Sequence, residues 1–172
     1  MGRDRRFFLR LPLAVSLALV CACGGPSASV PVGSQAPEFE LPDVSGRTVR
    51  LGDLKGKVVL LDFWATYCDS CRESVGALKQ IRKEYKDKGF ELVGISLDAA
   101  PEQVAEFIKE EGVDYPVLVD SDLVVSQAYG VRGLPVTMLL DRSGVVRGRW
   151  LGFDSTLPGE IRTLIDSIGK TL

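Results

Sequence analysis

Two cysteines three residues apart, Cys68 and Cys71, carry the chemistry this chain can do. They stand in Trp64-Ala65-Thr66-Tyr67-Cys68-Asp69-Ser70-Cys71, between an apolar run and the start of a helical pattern. One helical turn brings such a pair within disulfide range. The helix amino terminus favours thiolate at the leading cysteine, and thiolate is the form that attacks a disulfide. Arg72 adds a nearby positive charge and Asp69 a negative one. As a staple the pair is poor: closing four residues stabilises by roughly 2 kcal/mol, against about 4.7 for a 100-residue loop. Structural zinc needs four ligands, and the chain has no His and no second C-x-x-C. Haem attachment needs His after the second cysteine, where Arg72 stands. Thiol–disulfide exchange remains, with no metal or organic cofactor. Asp62 interrupts the apolar run before the motif. A carboxylate there loses hydration, which raises its pKa and suits it to carry a proton.

The elements that must hold these groups follow from periodicity. Residues 57–64 (KVVLLDFW) form a buried central strand. A helix over 70–88 follows, with Val75, Leu78, Ile81 and Tyr85 on one face and Gly89 at its end. Upstream, 39–41 and 48–51 flank a turn at 43–46 and predict a hairpin. Downstream come a strand at 91–97, a helix at 101–111, a strand at 117–119 and a helical turn at 123–129. Strands at 136–140 and 145–151 flank the Asp141-Arg142-Ser143-Gly144 turn, and a helix spans 158–168. This is an α/β pattern on a central mixed sheet.

The amino terminus reads differently. Four arginines precede an apolar run from Leu11 to Cys23, shorter than the ~20 residues that span a bilayer. Residues 1–22 therefore read as a signal peptide. Arg5-Arg6-Phe7-Phe8-Leu9-Arg10 resembles the twin-arginine export motif. Val20-Cys21-Ala22-Cys23 resembles a lipobox, with Cys23 as the lipidated residue. Residues 23–35, rich in Gly, Pro and Ser, read as a flexible tether, and the folded domain is expected over 36–170. Subtracting four Arg and one Asp from 21 basic and 23 acidic residues leaves 17 and 22 in the processed chain, a net charge of −5. With no basic stripe, nucleic-acid binding is disfavoured.

The chain resembles exported thioredoxin-fold thiol–disulfide oxidoreductases of the TlpA/ResA type, in the redoxin superfamily. The resemblance rests on 33–39 (GSQAPEF), 57–71, 89–98 and Gly133-Leu134-Pro135-Val136-Thr137, and covers about 33–169. It implies a thioredoxin fold with an amino-terminal β-hairpin and a central helix–strand insertion at 101–119. It makes Cys68 the exposed nucleophile, Cys71 the buried resolving partner and Asp62 the acceptor of the Cys71 proton. Pro135 becomes a cis-proline opposite the cysteines, and the Leu134 backbone a pairing edge for a client strand. Trp64 and Tyr67 are expected to form an apolar rim near the disulfide, with a place in the core as the alternative for either. Implied partners are disulfide-bearing or dithiol client proteins, a membrane electron donor of the DsbD or CcdA type, and the lipid anchor, on the extracytoplasmic face of the cell envelope. A role in cytochrome c maturation is also implied, but Ser74 and Gly76 stand where ResA-like members carry Glu and Pro. Two rival readings differ in class. One is a peroxiredoxin-like peroxidase, whose Thr-to-Cys spacing Thr66 does not match. The other is a non-catalytic lipoprotein that uses the fold to bind.

Overall fold

The computed structural model describes residues 29–170. The expected signal peptide, the expected lipid site at Cys23 and the part of the expected tether up to residue 28 lie outside the described residues.

A five-stranded mixed sheet is ordered β5-β4-β3-β6-β7. Strand β3 (Val58–Trp64) is central and wholly buried, which its apolar run requires. It pairs parallel with β4 (Phe90–Ser96) and antiparallel with β6 (Val136–Leu140). Strand β5 (Val117–Val119) extends the β4 edge in parallel, and β7 (Val146–Leu151) closes the other edge. The expected amino-terminal hairpin is a separate two-stranded sheet, β1 (Glu40–Pro42) and β2 (Thr48–Arg50). A bridge between Asp43 and Leu118 lays it against β5, so that edge is partly covered.

The period of two along β3 divides the interior. Val58, Leu60 and Trp64 face one core with helices α1 (Asp69–Tyr85), α2 (Pro101–Glu111) and α4 (Leu157–Lys170). Val59, Leu61 and Phe63 face the other, with the hairpin and the short helix α3 (Val124–Ala128). Helix α1 buries Cys71, Ser74, Val75, Leu78, Ile81 and Tyr85. The predicted apolar face holds, each large side chain contributing roughly 1.5–3 kcal/mol by leaving water. The helix passes into a 3₁₀ turn at Lys86–Lys88 before Gly89, so the α-helical part is shorter than the predicted 70–88. The insertion predicted at 101–119 is α2 and β5.

The tether does not run free to residue 35. Gly33 N–H donates to the Val146 carbonyl at 2.8 Å, Val146 N–H to the Ser34 carbonyl at 2.9 Å, and Ala36 N–H to the Gly144 carbonyl at 2.9 Å. Val30 is buried. The packed structure thus reaches back to Val30. A Gly/Ser/Pro composition gives no apolar period, yet its backbone still pairs along the start of β7.

Candidate active site

The motif sits where β3 turns into α1. Cys68 and Cys71 are joined by a disulfide of 2.04 Å, their Cα atoms 5.2 Å apart. Cys68 is the N-cap of α1, extended in backbone, and its Sγ accepts the Cys71 N–H at 3.2 Å. Its carbonyl accepts from Cys71 and Arg72 at 3.1 and 3.2 Å. A sulfur at a helix N-cap lies in the field that stabilises thiolate once the disulfide opens. Cys68 is half-buried and Cys71 is buried. The Ser70 hydroxyl lies 3.5 Å from Cys68 Sγ. The Ser74 hydroxyl is buried and donates to the Cys71 carbonyl at 2.7 Å.

Arg72 is not free to bias the thiolate. Its guanidinium is paired with Glu111 and Glu110 of α2 and lies 4.7 Å over the Phe107 ring. The insertion helix therefore neutralises the cation that the sequence places beside the cysteines.

Asp62 is 2 % exposed on the β3 face that also carries Leu60 and Trp64, the face against which Cys71 packs. Its carboxylate accepts one hydrogen bond, from Thr137 Oγ1 at 3.2 Å. Burial pushes its pKa up to about 7, against a smaller lowering by the threonine. Ionised Asp62 in turn raises the buried Tyr115 hydroxyl, although desolvation is the larger cause there.

The expected rim separates into two environments. Tyr67 is 75 % exposed beside the disulfide. Trp64 is 3 % exposed and stacks on Phe107, ring centroids 4.5 Å apart. As the last residue of β3 it shares the inward parity of Leu60, so it belongs to the core and not to the rim. Its indole lies over Gly94, where a Cβ would come within 2.9 Å of Nε1. Leu134 is half-buried, packed against both cores, and its bond to Pro135 is cis. Thr137, two residues on, reaches Asp62, so the cis-proline segment and the acid are joined through β6.

Asp98 is a residue the sequence reading did not single out. It is buried and accepts from Thr66 N–H at 2.9 Å, Thr66 Oγ1 at 2.6 Å and Ser96 Oγ at 2.7 Å. This carboxylate pins the loop that carries Cys68 to the end of β4. The available signal was Ser96-Leu97-Asp98 at the end of an apolar strand, where an acid needs donors. Among the described residues no group of His, Cys, Asp and Glu could hold a metal.

A family model described as the AhpC/TSA family matches residues 32–149. Thiol-disulfide oxidoreductase ResA from Bacillus subtilis is 36% identical over 154 residues, 85% of each chain. ResA from Halalkalibacterium halodurans is 30% identical over 152 residues, 85% of this chain and 86% of that one. Among solved structures, a Chlorobium tepidum protein assigned as thiol:disulfide interchange protein DsbE superposes with a TM-score of 0.78. It is 35% identical, over 82% of this chain and 99% of that one. The thioredoxin domain of a Bacteroides vulgatus thiol-disulfide oxidoreductase gives 0.73 at 31% identity, over 80% and 99%.

Proposed function

The chain belongs to the AhpC/TSA family and is a thiol–disulfide oxidoreductase of the TlpA/ResA type, and from that premise we propose that it is an exported, membrane-tethered reductant of protein disulfides. The observation that carries the reading is the Cys68–Cys71 disulfide at the α1 amino terminus, set over the same sheet face as a buried acid of raised pKa. In the reduced protein, Cys68 thiolate attacks a client disulfide. A mixed disulfide forms and one client thiolate leaves. Cys71 gives its proton to Asp62 and attacks Cys68 Sγ, which releases the second client thiolate and re-forms the Cys68–Cys71 disulfide. The client gains two electrons and the protein loses two, so a membrane dithiol donor of the DsbD or CcdA type must restore it. The client strand pairs with the Leu134 backbone while Tyr67 covers it from the cysteine side.

Export rests on the basic and apolar residues 1–22, and tethering on lipidation of Cys23. Among the described residues no helix is long and apolar enough to cross a membrane. Cys23→Ser should move the protein from the detergent phase to the aqueous phase; retention in detergent would overturn the lipid anchor. The reduction potential tests the direction of electron flow. Equilibration of the full chain with glutathione and dithiothreitol should give a value near about −270 mV, that of a reductant. A value near about −120 mV would make it an oxidant and end the reductase reading.

A further inference from the structure

We propose that a cleft beside the cis-proline segment selects client strands carrying an acidic residue close to the reacting cysteine, with Arg149 as the specificity-determining residue. The inference rests on the client strand pairing at Leu134.

The cleft has a volume of about 350 Å³ and is lined by Ser29, Gly130, Arg132, Gly133, Arg149 and Leu151. Gly133 directly precedes Leu134, so a strand paired there runs past its mouth. Leu151 is 67 % exposed, and its Cδ1 lies 3.4 Å from where a Cβ at 133 would stand. A Cβ at 133 would stand in van der Waals contact with Leu151, so these two residues border the entrance. Gly152 N–H donates to the Pro135 carbonyl at 2.8 Å, which fixes the end of β7 to the cis-proline segment.

The lining is one-signed: two guanidinium groups and no carboxylate. Arg149 Nη2 donates to the Gly130 carbonyl at 3.2 Å, which orients the group. Its Nε is buried and finds no acceptor among the described residues. Arg149 is half-buried and lines the cleft, so an entering carboxylate would meet a cationic wall. The chain's own leading segment cannot supply that carboxylate, because residues 5–37 contain no Asp or Glu. A visiting acidic side chain is the occupant that fits the charge of the lining.

The test uses the full chain, reduced beforehand, and two peptide disulfides that differ only in Glu against Gln beside the cysteine. The Glu peptide should be reduced with a kcat/KM about three- to fivefold higher, the range of a half-exposed ion pair, and 0.5 M salt should shrink that ratio. Arg149→Gln should bring the ratio to about one. Leu151→Glu, at an exposed position that tolerates the change, places a carboxylate at the mouth and should invert it. Equal rates for the two peptides in the parent protein would overturn the cleft while leaving disulfide reduction intact. So would a ratio that both variants leave unchanged. Failure to reduce either peptide would instead remove the disulfide-exchange reading on which the inference rests.

Discussion

Two carboxylates kept from water flank β6, and the protein treats them in opposite ways. Asp141, directly after β6, is 9 % exposed. It accepts from Ser143 N–H and Oγ at 2.9 and 2.6 Å, from Val145 N–H at 3.0 Å, and from Arg147 Nε at 2.7 Å. Burial works to raise its pKa, but these donors more than offset that and hold it down to about 2. Asp62, facing Thr137 near the other end of the strand, is granted one weak donor and rises to about 7. Depth of burial and supply of donors together decide what such an acid does: Asp62 is fully enclosed with one donor, whereas Asp141 lies near the surface with several. Where turn residues provide donors, the acid stays ionised and clasps the hairpin. Where the sheet withholds them, the acid can take and release a proton near neutral pH.

The largest effect expected from this contrast is on rate. Asp62→Asn removes the proton acceptor for Cys71 and should slow release of the mixed disulfide at pH 7 by about 100-fold, read by stopped-flow with a fluorescent client peptide. An unchanged rate would break the contrast at its functional end. The same variant has a consequence for stability. Folded Asp62 holds its proton to about pH 7, whereas unfolded Asp releases it near 3.8. Between those values the folded state binds more protons, so its stability falls as pH rises through that window. Asn does not titrate. Oxidised Asp62→Asn should therefore gain on the parent, on the order of a few kcal/mol, between pH 4 and 8 in urea melts.

The opposite sign belongs to Asp141. Its folded pKa lies below the unfolded value, so its stabilisation is present above about pH 4 and is lost as pH falls towards 2. Asp141→Asn should cost about 1–3 kcal/mol at pH 7 and little at pH 2, with client reduction unaffected. A matching loss of reduction rate would show that the two ends are coupled.

Much of this arrangement was legible beforehand, for a physical reason. Continuous apolar runs mark strands buried on both faces, as in β3, β4 and β5, and a period of 3.6 marks the one-sided faces of α1 and α2. Cys68 and Cys71 were legible because their spacing and flanks suit few other uses. Asp62 stood out as a charge inside an apolar run. Other features arise only in three dimensions. The burial of Trp64 depends on α2 bringing Phe107 over it. The neutralisation of Arg72 depends on Glu110 and Glu111 arriving from nearly forty residues away. Asp98 shows its importance only when its donors are counted. The pairing of 33–36 with β7 uses backbone groups, which every sequence offers equally.

The smallest test asks whether the Asp141 end can be loosened without reaching the cysteines. Gly144 completes the clasp with φ +83°, a conformation that a side chain disfavours, and a Cβ there would lie 2.7 Å from Gln35 Nε2. That amide donates to the Ser143 carbonyl at 2.9 Å from an exposed side chain, so it can swing aside. The remaining cost of Gly144→Ala is backbone strain, about 1 kcal/mol, which corresponds to a Tm lower by about 3 °C. Since β6 is held by β3 on one side and β7 on the other, that strain should stay in the hairpin, and Thr137 should keep its bond to Asp62. Calorimetry should record the fall in Tm while the pH profile of mixed-disulfide release stays centred near 7. A displaced profile would mean that strain at the turn travels along β6 to Asp62, and the two carboxylates would then be parts of one device.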